Sequence, residues 1–297
     1  MSTSSLKPLR ILISGQHGQV SSELQKSLAG LGELRVLGRE QLDLSHPETI
    51  RAQVSSWRPD LIINAAAHTA VDQAESEPDL AFAINGTAPG VFAEEAKKLG
   101  VPLIHYSTDY VFDGKKKSPY TERDTPAPLG VYGKSKLAGE RAITAVGGEH
   151  LILRTSWVYS LHGRNFLLTM QRLMQERAHL RVVSDQIGAP TWAGTIALST
   201  RLLIDRWREG NPGAWGTYHL TAAGETSWFG FAQAIGKQLI EQNKPCATLE
   251  AIPTSAYPTP AERPQNSRLD CSLLLREWEV SMPDWHRAML ECLAGQR

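Results

Sequence analysis

Tyr132 and Lys136 stand four residues apart in the stretch VYGKSKLAGE, residues 131–140. On a helix that spacing sets a phenol and an ammonium group on one face, one above the other. A neighbouring cation favours phenolate, so the pair predicts a phenol acidified enough to release a proton near neutral pH. A second polar cluster, Ser107, Thr108, Asp109 and Tyr110, ends the apolar run VPLIHYS. A hydroxyl there can hydrogen-bond a carbonyl oxygen, and it can equally cap a turn. If a helix opening near Val131 lies beside that run, Tyr132, Lys136 and Thr108 converge on one carbonyl, an arrangement suited to hydride transfer.

The elements that must position these groups alternate. Short apolar runs of strand type recur as LRILIS, LRVL, DLIINAAA, VPLIHYS, HLILRTS and LRVVS. Between them lie helical patterns: Val20, Leu24 and Leu28, then PETIRAQVSSW, then TAPGVFAEEAKKLG. This order predicts an α/β fold, a doubly wound parallel Rossmann sheet covered by helices on both faces. The boundaries expected are a dinucleotide-binding domain over residues 1–160, joined by 191–215. A smaller C-terminal α/β substrate lobe is expected over 161–190 and 216–297, where Trp, Pro and short helical pieces are denser.

The first strand runs into SGQHGQVSSELQKSL, a glycine turn that opens a helix. Glycines there let backbone N–H groups approach a pyrophosphate, and the helix N-terminus adds favourable partial charge. Gly15, Gln16, His17, Gly18, Gln19 and Val20 are therefore candidate cofactor contacts, although Ser21 stands where a third glycine would complete the fingerprint. Twenty residues past Gly18 the second strand ends in Gly38 and Arg39, with no acid at position 38. An acid there would hold the ribose hydroxyls of NAD, whereas an arginine can pair with the extra phosphate of NADP. The cofactor expected is NADPH, with NADH possible. Asp43 and Leu44 are candidates to flank adenine, and the small side chains of Ala65, Ala66 and Ala67 leave room for a dinucleotide at the sheet edge.

Composition narrows the partners. The chain has 297 residues, with 31 basic and 31 acidic side chains, so no long-range field points to nucleic acid or a membrane surface. No apolar run approaches the roughly 20 residues of a membrane span, and the first residues lack the apolar centre of a signal peptide. Cys246, Cys271 and Cys292 are odd in number and far apart, which argues against a disulfide framework or a zinc site and makes a reducing cytoplasm the expected location.

Taken in order, the glycine turn, NAAA, STDYVFDG, YGKSK, RTSWVYS and DQIGAPT resemble the extended short-chain dehydrogenase/reductase superfamily. Within it they are most similar to the dTDP-4-dehydrorhamnose reductase family, over nearly the whole chain as far as RPQNSRLD at 263–270. That resemblance implies NADPH-dependent reduction of the C4 ketone of dTDP-4-dehydro-L-rhamnose, a step of dTDP-rhamnose synthesis for cell-surface polysaccharide. It assigns catalysis to Thr108, Tyr132 and Lys136, with Tyr132 and Lys136 also contacting the cofactor, Lys136 on the nicotinamide ribose. It places Asp109, Tyr110 and Trp157 beside the sugar, and Arg263 and Asn266 near the diphosphate. Some relatives dimerise through magnesium held by carboxylates. Here Glu23 matches one such position, but GAPTWAGT offers Trp192, Gly194 and Thr195 and no carboxylate. No metal is expected, and a monomer or weak homodimer follows. Two alternatives remain at this stage: another nucleotide-sugar reductase or epimerase, and a noncatalytic NADP-binding regulatory subunit of the methionine adenosyltransferase type.

Overall fold

Strands Leu61–Asn64 and Leu103–Thr108 are buried at every position, and Leu9–Ser14 at all but one. Such strands need cover on both faces. In the computed structural model, which describes residues 7–295, they lie in a six-stranded sheet. Its spatial order is Gly216–His219, His150–Thr155, Leu103–Thr108, Leu61–Asn64, Leu9–Ser14, Gly32–Leu37, with every pairing parallel. The chain builds outward from the first strand to the second, then returns to the first strand's other side. That reversal opens a crevice at the carboxyl ends of the first and third strands, where Ser14 and Asn64 are in register.

Alternation along the strands divides the core. Ile11, Ile13, Ile63 and Ile104 face Leu24 and Leu28, and Ile196 and Leu203 of the helix Ala193–Arg208. Leu12, Ile62, Leu103 and Ile152 face Ile50 and Val54, Phe92 and Ala96, and Ile143 of the helix Val131–Val146. A third core joins Leu167, Met170, Phe231, Ile235 and Met289, from helices Phe166–Glu176, Trp228–Glu241 and Trp285–Ala294.

Two strand positions differ from a simple reading of the apolar runs. The run LRVVS belongs to His179–Val183, which pairs with Thr248–Ile252 outside the central sheet. Its exposed His179 and Arg181 alternate with buried Leu180 and Val182, the pattern of a strand covered on one face. The sixth central strand is Gly216–His219, from the segment assigned above to the lobe. Its residues GTYH contain no aliphatic run, so pairing with Leu151–Arg154, not local pattern, makes it a strand. Among the described residues, no helix is long and apolar enough to cross a membrane.

Candidate active site

The helix Val131–Val146 carries the opening pair, and its seat is set by backbone approach. Val131 N–H donates to the Glu75 carboxylate at 2.8 Å, which places negative charge at the helix N-terminus. Gly133 packs on the Tyr110 carbonyl and Gly139 on the Asn85 carbonyl so closely that a Cβ at either position would collide with backbone. The glycines between Tyr132 and Glu140 are thus what lets this helix close on the turn at Tyr110 and on the turn Ala83–Thr87.

Lys136 is 2% exposed, and its Nζ donates to the Tyr106 carbonyl at 2.6 Å and meets His105 Nε2 at 3.2 Å. Burial pulls its pKa down to about 8, opposed by the charge of Glu140. One turn further on, Glu140 accepts from Ser107 Oγ at 2.5 Å and takes Arg154 in a two-point pair at 2.9 and 2.6 Å. Lys136 and Glu140 therefore fasten the helix to Tyr106 and Ser107, the two residues before Thr108.

Thr108 and Tyr132 are neighbours: the Thr108 hydroxyl lies near enough to the phenol to oppose the rise in its pKa. Thr108 Oγ1 also donates to Asp109 Oδ1 at 3.0 Å and accepts from Tyr110 N–H at 3.2 Å, so the same hydroxyl serves the turn and the site. The acidification of Tyr132 expected from Lys136 is not what the geometry gives. Burial pushes the phenol up, the Thr108 hydroxyl opposes that rise, and the charge of Asp109 raises it further. The ammonium of Lys136 is directed at Tyr106 and His105 instead. Tyr132 therefore stands as a protonated phenol.

The nucleotide crevice is built to admit backbone contact. Gly15 has φ +86, and a Cβ there would lie 3.1 Å from Ala66. A Cβ on Gly18 would lie 3.2 Å from the Gly15 carbonyl, and one on Gly38 2.9 Å from Gln16 Oε1. These three positions are the ones a ribose and pyrophosphate would need clear, and the helix Gln19–Ser27 starts directly behind them. Arg39 is 76% exposed at the end of the second strand, tethered 3.5 Å from Asp43. The residues present fit a dinucleotide with an additional phosphate. Asp43 is held by Ser45 and Leu44 is buried in the core, so Leu44 offers mainly backbone. Ala66 N–H donates to Ser14 Oγ at 3.1 Å, fixing the Ala65–Ala67 edge. Gln19 Oε1 accepts from Ser160 and Asn165, which ties the glycine turn to the segment 160–165. His17 is exposed and Val20 half-buried.

Tyr110 stands edge-on to Tyr132 with ring centres 5.3 Å apart, and the Arg263 guanidinium lies near enough to oppose the rise in the Tyr110 pKa. Burial raises Tyr110 to about 12 and the buried Asp109 to about 6, the neighbouring Ser267 and Thr108 hydroxyls limiting the latter. Arg263 donates through Nη2 to Asp72 at 2.7 Å, while its Nη1 is buried without a partner. Tyr132, Tyr110 and Arg263 thus form one wall. Asn266 is different. Its amide protons go to the Lys116 and Ser118 carbonyls and its oxygen accepts from Arg268 N and Nε, leaving no side-chain group for a ligand. It clamps a loop. Trp157 lies two residues beyond Thr155, which is in register with Thr108, and it adopts φ +49. Its ring stacks on Trp228 at 3.6 Å and covers Gly188, so the side chain has a fixed place at the sheet edge.

Sequence reasoning passed over Glu140, Arg154, His105 and Asn85. Glu140 lay in the same stretch, four residues past Lys136. Asn85 sits in the π-helical turn Ala83–Thr87, bonded to Ser135 and to the backbone of His68.

A family model described as "RmlD substrate binding domain" matches residues 9–297. A curated relative from Burkholderia thailandensis, named dTDP-4-dehydrorhamnose reductase, is 47% identical over 292 residues, covering 96% of this chain and 98% of the relative. One of the same name from Escherichia coli K12 is 47% identical over 283 residues, covering 93% and 94%. A crystal structure of dTDP-4-dehydrorhamnose reductase from Bacillus anthracis in complex with NADP superposes with a TM-score of 0.89 at 33% identity, over 97% of this chain and 100% of that one. A Thermus thermophilus UDP-glucose 4-epimerase complex with NAD, 19% identical with a TM-score of 0.76 over 96% of this chain and 99% of that one, shares the fold.

Proposed function

The chain belongs to the RmlD substrate binding domain family, and we infer that it reduces the C4 ketone of dTDP-4-dehydro-L-rhamnose to dTDP-L-rhamnose with NADPH. It is an NAD(P)H-dependent oxidoreductase. The observation that carries its chemistry is the neighbouring hydroxyls of Thr108 and Tyr132, on a helix anchored by buried Lys136 at the carboxyl edge of the sheet.

NADPH, when bound, supplies the hydride to C4. The ketone oxygen then becomes an alkoxide, a far stronger base than a phenolate, so a proton moves downhill to it from Tyr132 although burial has raised that phenol. Thr108 supplies a second hydrogen bond to the same oxygen once its one hydroxyl proton turns from Asp109 Oδ1 to the substrate. Lys136, held by the Tyr106 carbonyl and His105 one helical turn from Tyr132, is the candidate to hold the nicotinamide ribose. Gly15, Gly18 and the helix start behind them accept the pyrophosphate, and the exposed Arg39 takes the ribose phosphate. Arg263 offers its unpartnered Nη1 to an anionic group, the role expected for a diphosphate contact. Trp157, braced by Trp228, borders the sugar. Asn266 positions the loop that follows Arg263 and does not itself touch substrate. The balanced formal charge supports a small-molecule substrate and no nucleic acid, and no membrane partner is needed.

Steady-state oxidation of NADPH and NADH by the purified chain tests this reading, using dTDP-4-dehydro-L-rhamnose and, separately, its 4-keto-6-deoxyglucose precursor. Turnover of the keto-rhamnose nucleotide with NADPH preferred is the expected result. Turnover of the precursor alone would make the chain a different reductase or epimerase, and consumption of neither would leave only a regulatory role.

A further inference from the structure

Ser14, Asn64 and His105 occupy matched positions on three adjacent strands, so their side chains share one face of the sheet. They form a buried chain that ends on Lys136. Ser14 Oγ lies 2.7 Å from Asn64 Oδ1, Asn64 Nδ2 lies 3.0 Å from His105 Nδ1, and His105 Nε2 lies 3.2 Å from Lys136 Nζ. At its other end Ser14 accepts the Ala66 N–H beside the glycine turn.

Donor counting permits two arrangements. An ammonium only donates, so beside charged Lys136 the ring must accept at Nε2 and carry its proton on Nδ1. Asn64 then presents its oxygen to His105 and its NH2 to Ser14. A neutral lysine amine has a lone pair and can accept, so the polarity can reverse. Nε2–H donates to Nζ, Nδ1 accepts from the Asn64 NH2, and the Asn64 oxygen accepts from the Ser14 hydroxyl. The amide as it stands, with Oδ1 on Ser14, is this second arrangement. Passing between them takes one proton from the network, moves the ring proton from one nitrogen to the other, and turns the Asn64 amide over. The imidazole is neutral in both, as its complete burial beside a cation also favours.

We propose that His105 is a positioning residue that sets the charge state of Lys136 by exchanging tautomers in step with the Asn64 amide. Among the described residues, Glu140 is the other charged group acting on Lys136, and it is itself held by Ser107 and Arg154. Lys136 is the charged group acting on His105. Tyr106 offers only its carbonyl here, because its hydroxyl bonds Thr200 on the opposite face.

The inference rests on the reductase reading for its kinetic arm alone, since the tautomer is a property of the resting protein. Nitrogen-15 NMR of histidine-labelled wild-type protein reads it directly between pH 6 and 10. The expected result is an Nδ1–H ring at the acid end, an Nε2–H ring at the alkaline end, and no imidazolium between. One tautomer throughout, or an imidazolium at pH 6, would overturn the proposal. In the kinetic arm, His105→Leu removes the acceptor and moves the alkaline limb of kcat/KM down by about one pH unit. His105→Gln, whose amide can accept at the Nε2 position, restores the limb. A Leu variant whose pH profile superimposes on that of wild type would also overturn it. A wild-type enzyme without turnover would instead refute the reductase reading, with the tautomer titration still readable.

Discussion

Replacing Lys136 by Met separates what this residue does for the reaction from what it costs the fold. Burial holds its pKa at about 8 against an ordinary 10.5, a difference worth about 3 kcal/mol at about 1.36 kcal/mol per pH unit. Because the folded value is the lower one, the unfolded chain binds more protons between pH 8 and 10.5, and stability rises with pH across that window. Below pH 8 the full cost of burying the cation is present. Methionine keeps the length of the side chain and removes the titration, but leaves the Tyr106 carbonyl without its donor, a loss of about 1–3 kcal/mol. The two effects nearly cancel at pH 7, so the variant should unfold at a urea concentration close to that of wild type while losing turnover. Urea unfolding of both proteins at pH 7, 8, 9 and 10, followed by tryptophan fluorescence, checks the rest. Wild type should gain about 3 kcal/mol relative to the Met variant as pH rises through the window. Stability curves that stay parallel would refute the claim that Lys136 is buried as a strained cation.

Three further perturbations bear on the site. Glu140→Ala leaves Arg154 as an unpaired buried charge and should cost about 3–5 kcal/mol in thermal or urea unfolding, with kcat falling as the helix loosens; a cost below about 1 kcal/mol would show that the helix is seated by other contacts. Asp109 has a folded pKa near 6 against 3.8, so its ionisation should remove stability as pH rises from about 4 to 6, by about 3 kcal/mol. Asp109→Asn should lack that slope, and an unchanged slope in urea titrations would contradict the assignment. Gly139→Ala drives a methyl group into the Asn85 carbonyl, so it should lower the melting temperature and NADPH turnover together, and wild-type values for both would exclude the tight helix seat.

What was legible in the sequence follows from local pattern. Leu9–Ser14, Leu61–Asn64 and Leu103–Thr108 are short, mostly apolar runs that end in polar residues, and such runs point to buried parallel strands by themselves. Tyr132 and Lys136 declared themselves by helical spacing. Gly216–His219 did not, because its strand character comes from a neighbour far away in sequence. The same holds for the site's supports. His105 reads as an odd polar residue within an apolar strand until Asn64 and Lys136 are seen on either side of it. Asn266 was misplaced because an amide in a polar loop looks alike whether it meets a ligand or four partners within the chain. The direction of the Tyr132 pKa was missed for a related reason: spacing gives the distance to Lys136 but not where the ammonium points, nor how deeply the ring is buried.

The decisive comparison is NADPH oxidation by wild type and Tyr132→Phe with dTDP-4-dehydro-L-rhamnose, made alongside equilibrium NADPH binding. Loss of the general acid should lower kcat by about 100- to 10,000-fold while NADPH affinity changes by less than about threefold. A phenylalanine variant that turns over at the wild-type rate would contradict the assignment of the proton to Tyr132.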